Sequence, residues 1–335
     1  MPKTWDRKIL AVHMQWDYCD PSRGPSPEKS WFYDNLRKLA PASDVFYYDA
    51  FVNDPQLLRR KLTEKAESFG PDLVFFVPYT DQFDPPFLDA LKAKWPTCAW
   101  FGDDTWRFDS FSSKLAPHFT HVLTTDPFSL DRYAAIGVKP IVTQWAADPR
   151  PGLDPSPPEK YEYEVSFVGG KDPARVWFVE RLAALGVKAE CFGAGWPNGR
   201  VSFEKMDRIF RLSRINLNLS NSVPRDLGFV LGGPRNLMKF LRSRKTAEQI
   251  KARNFEIPLA GGFQLSNSVP GLELYFDIGK EIEVYDGAED CAAKARRYLA
   301  DEPARAAIAA AGAARAAREH TYLARLAKVL ETIWG

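Results

Sequence analysis

Short apolar runs recur through the first half of the chain, at residues 9–14, 45–48, 73–77, 98–101, 121–125 and 141–145. A strand with one face in water alternates polar and apolar positions, whereas these runs are almost continuously hydrophobic, which predicts strands buried on both faces. Between them, stretches such as 31–39 and 55–69 return apolar residues at helical spacing. Strand and helix in strict alternation predict a parallel sheet with helices on both sides. The segment DPRPGLDPSPPEK, residues 148–160, interrupts the pattern with prolines that exclude both helix and ladder pairing. The alternation then restarts, with strands predicted at 165–168, 189–192, 215–219, 263–265 and 281–285. An Ala/Arg-rich stretch at 303–319 and an amphipathic one at 321–334 predict two closing helices.

The chain therefore divides on paper into an N-terminal Rossmann-like domain (1–150), a Pro-rich linker (151–160), a second Rossmann-like domain (161–318) and a final helix (319–335). The fold class is α/β. Ligands in open α/β sheets bind outside the carboxyl ends of the strands, so two such units place the expected site in a cleft between domains.

At 335 residues the chain is long enough for two cores. With 45 Lys plus Arg against 43 Asp plus Glu, net charge gives no reason to expect bulk attraction to nucleic acid or to an anionic membrane. Cys19, Cys98, Cys191 and Cys291 are widely separated and show no CxxC spacing, which suits reduced thiols in a cytoplasmic protein. No apolar stretch approaches the ~20 residues of a spanning helix.

Several segments carry candidate chemistry. Glu248 and Glu256 stand eight apart in KTAEQIKARNFEIPLAGGF, a stretch that reads as one helix running into Gly261 and Gly262. On one helix that spacing puts both carboxylates on a common face, where they suit the vicinal hydroxyls of a ribose and a sugar. The glycines permit close backbone approach or simply cap the helix. In VSFVGGKDPAR a strand opens through Gly169 and Gly170 into a helix, whose exposed amides and dipole suit a diphosphate, with Lys171 and Arg175 to balance its charge. CFGAGWPNG offers Gly193 and Trp196 beside a base or sugar, and INLNLSNS points Asn216, Asn218 and Ser220 to one side of a strand. In the first half, Asp17, His13, Asp103 and Asp104 lie at or beyond predicted strand ends and are the candidates for a general base. His118 and His121 flank a strand start and read as structural. Residues 223–245 look like an insertion that contacts acceptor or partner, or a solvated basic surface.

The run RNFEIPLAGGFQL, then GLELYFDIGKEIEVYD, Tyr298-Leu299 and EHTYLARL, resembles the C-terminal domain of glycosyltransferases related to the spore-maturation protein CgeB. FGDDTWRFDSFSSKLAPHFTHVLTTD, residues 101–126, resembles the N-terminal domain of that family. The resemblance implies a GT-B fold with a last helix that crosses back to the first domain. It implies a nucleotide-diphosphate sugar held mainly by the second domain, with Arg253 and Glu256 among the donor-binding residues and Glu256 on the ribose hydroxyls. Glu248 aligns with the first glutamate of the paired motif of the wider retaining group. The family works without a catalytic metal or cofactor, and the acceptor stays open as a glycan, a protein or a small molecule. Two other classes fit the same outline: a nucleotide-sugar epimerase, disfavoured by only 4 His in the chain, and a two-lobed binding protein, disfavoured by a single linker.

Overall fold

The computed structural model describes residues 2–224 and 226–335. The chain folds as two compact units, one of residues 1–148 plus 322–335 and one of residues 149–321. In the described residues of the first, β1 (Ile9–His13), β2 (Asp44–Tyr47), β3 (Leu73–Phe76), β4 (Thr97–Phe101), β5 (His121–Thr124) and β6 (Ile141–Val142) form one sheet ordered β2-β1-β3-β4-β5-β6. In the second, β7 (Tyr163–Val168), β8 (Glu190–Phe192), β9 (Ser213–Asn218), β10 (Gln264–Asn267) and β11 (Glu283–Tyr285) are ordered β11-β10-β9-β7-β8. Every pairing in both sheets is parallel, so all strand carboxyl ends within a unit share one edge.

The apolar runs have the cause that the sequence suggested. Leu10 and Val12 of β1 join one core cluster, while Ile9 and Ala11 join the cluster on the opposite face. In β3 the same split separates Val74 and Phe76 from Leu73 and Phe75. Both faces are covered, so neither parity of position can be polar. The second sheet differs. Val165, Phe167, Ile215, Leu217 and Leu265 fill one face, but the other carries buried Ser166, Asn216, Gln264 and Ser266. Ser166 and Asn216 are held in part by neighbouring side chains and in part by nearby backbone carbonyls, whereas the Gln264 amide has no hydrogen-bond partner among the described residues. Ser213 Oγ donates to Ser166 Oγ at 2.7 Å, and Asn216 Nδ2 donates to Phe210 O at 2.9 Å.

The proline-rich stretch is not a detached linker. Residues 149–160 belong to the second unit, where Leu153 packs beside Ile209 and Ile257, and Arg211 Nε donates to Ser156 O at 3.0 Å. The last helix, Tyr322–Trp334, returns to the first unit: Tyr322 N donates to Ala147 O at 3.0 Å, and its ring stacks on Trp31 with centroids 5.2 Å apart. His320, just before it, bonds Tyr275 O through Nε2 at 2.7 Å.

In each sheet the strand order reverses once, at β1/β3 and at β7/β9. The loops that leave those strand pairs are where a doubly wound sheet opens a crevice.

Candidate functional site

In the second unit the reversal point is built around Arg175, in the first turn of the Pro173–Ala184 helix. Nε donates to Leu219 O at 3.2 Å and Ser220 O at 3.3 Å, Nη2 to Leu219 O at 2.9 Å, and Nη1 to Gly170 O at 2.9 Å. One guanidinium thus ties the loop after β7 to the loop after β9. Burial lowers its pKa to about 10, with Asp172 opposing the fall, and it remains a cation at neutral pH. A half-buried cation bonded mainly to carbonyls keeps most of its charge uncompensated, which favours an anion beside it.

Opposite it, Glu248 accepts from Ser222 Oγ at 3.3 Å and from Asn267 Nδ2 at 3.0 Å. Burial raises its pKa, while hydrogen bonds from Ser220, Ser222 and Asn267 and the charge of Arg175 pull it back. Ser220 and Ser222 hydroxyls lie 2.7 Å apart, and Asn218 Nδ2 donates to Ser266 Oγ at 3.3 Å. The carboxyl ends of β9 and β10 therefore gather Asn218, Ser220, Ser222, Glu248 and Asn267 near the half-buried guanidinium.

The loop after β7 is locked to the loop after β8. Trp196 Nε1 donates to Gly169 O at 3.0 Å, Lys171 N to Ala194 O at 2.8 Å, and Lys171 Nζ lies 5.5 Å from the Trp196 ring centre. Gly193, at φ +127°, approaches so closely that a Cβ there would sit 2.2 Å from Gly169 O. Around Gly170 a Cβ would meet nothing within 4 Å, so that side of the turn is open.

Three expectations change. The helix that follows this turn is not a vacant anion seat: Asp172 caps it by accepting from Ala174 N at 2.9 Å, Pro173 has no N–H, and Lys239 pairs with Asp172. Any anion here relies on Arg175, Lys171 and the open turn. Glu248 and Glu256 do not share a helix face either. The helix spans only Arg253–Leu259, and Glu248 precedes it in extended chain. Glu256 is 5% exposed and sits in a separate charge cluster, 2.9 Å from Arg253 Nη1 and 3.9 Å from Arg150 Nη2. Arg150 also lies 3.3 Å from Asp207, whose pKa burial pushes up to about 7 against the pull of Arg150. Third, of the two readings of Gly261 and Gly262 the structure shows the helix cap: Gly261 (φ +78°) follows the helix, its N donates to Pro258 O at 2.8 Å and Gly262 N to Ile257 O at 3.0 Å, while a Cβ on Gly261 would fall 2.1 Å from Pro155 O and one on Gly262 2.6 Å from Asn216 Nδ2.

In the first unit the loop after β1 contains Tyr18 and Cys19 at φ +54° and +59°, strained values for residues with side chains. The exposed Tyr18 ring meets Tyr79, beyond β3, edge-on at 5.7 Å, and Arg23 lies 4.3 Å over its other side. Asp17 pairs with Arg23 at 3.1 Å, and Asp103 is near enough to help raise the Tyr18 pKa behind burial and Asp17. Half-buried Asp17 and Asp103 thus stand at the β1/β3 reversal. The other two base candidates are withdrawn from solvent. His13 is 0% exposed against Tyr47, with a pKa lowered by burial to about 4. Asp104 is 0% exposed, held by Thr124 at 2.5 Å and Tyr133 at 2.8 Å, and its pKa is raised by burial. A pocket of about 290 Å³ in the first unit is lined by Thr80, Asp81, Arg107, Phe111 and Lys114 among others. The sequence pointed to neither Arg107 nor Tyr79, since a lone Arg or Tyr in a loop carries no spacing signal. Among the described residues no group of three or more His, Cys, Asp or Glu is placed to hold a metal ion, and no helix is long and apolar enough to cross a membrane.

Residues 175–331 match the family model described as glycosyl transferase-like. A comparison with curated proteins found no match. Among solved structures, sucrose-phosphate synthase from Thermosynechococcus elongatus superposes with a TM-score of 0.68 at 10% identity, over 98% of this chain and 99% of that one. Anabaena Alr3699/HepE in complex with UDP-glucose gives 0.60 at 12% identity, over 98% and 99%. A glycosyltransferase from Rickettsia africae ESF-5 gives 0.61 at 12% identity, over 97% of each chain. Such low identities speak to the fold. The protein thus has the GT-B fold, and its residues 175–331 match a glycosyl transferase-like family model.

Proposed function

We propose that this protein is a glycosyltransferase that takes a sugar from a nucleotide-diphosphate donor held by its second unit. The observation that carries the reading is the half-buried Arg175 at the β7/β9 reversal, facing the open turn at Gly170 and the polar ends of β9 and β10. As the bond from the anomeric carbon to the diphosphate breaks, negative charge builds on the leaving phosphate. Arg175 and Lys171 balance it, work that needs no metal. Glu248 and Asn267 offer a carboxylate and an amide to sugar hydroxyls. Glu256, as the resemblance to CgeB-related enzymes implies, takes the ribose hydroxyls. Its Arg253 and Arg150 contacts occupy only part of the acceptor capacity of a carboxylate. Asp17 and Asp103, half-buried carboxylates of the first unit, are the candidates for the general base toward the acceptor hydroxyl.

The test is a thermal-shift and calorimetric titration with UDP, GDP, dTDP and their sugars, followed by an assay for released nucleotide. A nucleoside diphosphate that raises the melting temperature of the wild type but not of Arg175→Met supports the reading. Absence of a shift with all of them removes it. Conversion of the donor to a different sugar without release of nucleotide would instead assign an epimerase.

A further inference from the structure

Among the described residues eleven large apolar side chains are exposed, and six of them fall within residues 227–241: Leu227, Leu231, Leu237, Met238, Phe240 and Leu241. Such a concentration is not the scatter of single apolar residues that any surface carries. Its origin is a helix mounted the wrong way round. In Pro234–Arg242 the apolar residues occupy one arc of about 160° at 3.6 residues per turn, with Arg235, Lys239 and Arg242 on the other side. In a helix that serves a core the apolar arc faces inward. Here the least exposed residues are Asn236 and Lys239, and Lys239 anchors the helix to the body by pairing with Asp172 and donating to Asn221 O at 3.0 Å. The apolar arc is therefore turned outward.

The short helix before it, Leu227–Leu231, repeats the arrangement. Phe229 is buried against Trp177, with ring centres 5.7 Å apart, and Asp226 caps the helix by accepting from Gly228 N at 2.6 Å. With Phe229 inward, Leu227 and Leu231, four apart, face solvent at 79% and 82% exposure. Both helices are thus pinned from beneath while their apolar sides stay uncovered.

We propose that this double helix is a docking surface for an anionic lipid membrane, lying flat in the headgroup region. The charge pattern selects that occupant. Apart from Lys239, which is turned inward, residues 234–244 carry exposed Arg235, Arg242 and Arg244 and no Asp or Glu, so a basic rim borders the apolar arc. Apolar insertion bordered by Lys and Arg is what an anionic headgroup surface rewards, each cation near the surface adding attraction. A neutral apolar partner would leave the rim without a counter-charge, and a second copy of this chain would set like charges against one another. The net charge of the whole molecule, only +2, hides this because the cations are local. The inference does not depend on the glycosyl-transfer reading, since it uses no residue of the donor site.

The experiment is flotation of the purified full-length chain with vesicles of phosphatidylcholine alone or mixed with phosphatidylglycerol, at low and high salt. The wild type should float with the anionic vesicles and less so in high salt. Leu237→Asp with Leu241→Asp should lower partitioning about tenfold or more, because two apolar side chains lose their burial. Arg235→Glu with Arg242→Glu should lose the preference for anionic lipid. All four positions are exposed, so unchanged melting temperatures confirm the fold, and Leu237→Ser with Leu241→Ser repeats the apolar test without added charge. The proposal is overturned if the wild type fails to float, floats equally with neutral vesicles, or floats no better than the variants. It is equally overturned if light scattering finds a dimer that the leucine variants dissolve.

Discussion

The two units share one plan, a parallel sheet whose strand order reverses once, yet the two reversal points are furnished in opposite ways. At β7/β9 the polar groups are short, buried and bonded to one another, with Arg175 tying two loops by their carbonyls. At β1/β3 the loop is long, two of its residues sit at positive φ, and its side chains are exposed or half-buried carboxylates and tyrosines. A preorganised, cationic edge suits a ligand of fixed chemistry such as a nucleoside diphosphate, because the groups pay little reorganisation on binding. An adaptable loop edge suits an acceptor that differs from one enzyme to the next.

Arg175 offers the hardest blow to this comparison. Arg175→Ala removes a half-buried cation and strands three carbonyls, and should cost ~1–3 kcal/mol of stability together with most of the donor affinity. Arg175→Met restores much of the volume, so stability should recover partly while affinity does not. Denaturant titration beside nucleotide titration separates the two, and full affinity in Arg175→Met would break the assignment of this edge to an anion.

A smaller effect sharpens the distinction between packed and open glycines. Gly261→Ala forces a Cβ onto the Pro155 carbonyl at φ +78° and should lose at least ~2 kcal/mol, whereas Gly170→Ala should stay within ~0.5 kcal/mol. Equal losses would mean that the turn at Gly170 is not open.

The glutamates should then part company. Glu256→Gln leaves Arg150 and Arg253 facing a neutral amide and should destabilise the second unit by ~1–3 kcal/mol. Glu248→Gln keeps acceptor and shape, so stability should fall by less than ~1 kcal/mol while turnover drops more than donor affinity. If both variants melt like the wild type, the separate charge cluster of Glu256 is not structural.

The mildest expectation concerns pH in the first unit. Glu28 is pushed up to about 8 by burial, although Met14 N donates to it at 2.9 Å. The folded state therefore holds a proton that the unfolded chain releases near 4.5, and this contribution to stability is lost as pH rises from about 4.5 through about 8. His13 acts at the other end: its folded pKa of about 4 lies below the ordinary 6.5 of a histidine, so its contribution is present above about 6.5 and lost as pH falls through about 4. Glu28→Gln should flatten only the alkaline decline of the melting temperature. A decline that persists unchanged would place its cause elsewhere.

The sequence by itself determined the strands, the two alternating halves and the last helix, because double burial and helical periodicity are properties of neighbouring residues. The stretch 55–69 is helical over those very bounds, and all eleven predicted strands occur. It misread the helix carrying Glu248, since the residues from 244 to 250 have good helical character but are spent on reaching Ser222 and Asn267. It also misread Asn216, whose outward alternation suggested a ligand and whose amide bonds Phe210 O and Phe263 O. Only the tertiary structure decided which polar groups were already satisfied, that Arg175 ties the loop after β7 to the loop after β9, and that the 234–242 helix turns its apolar arc to solvent. Those facts depend on partners dozens of residues away, and no local pattern encodes which face of a segment the rest of the chain will cover.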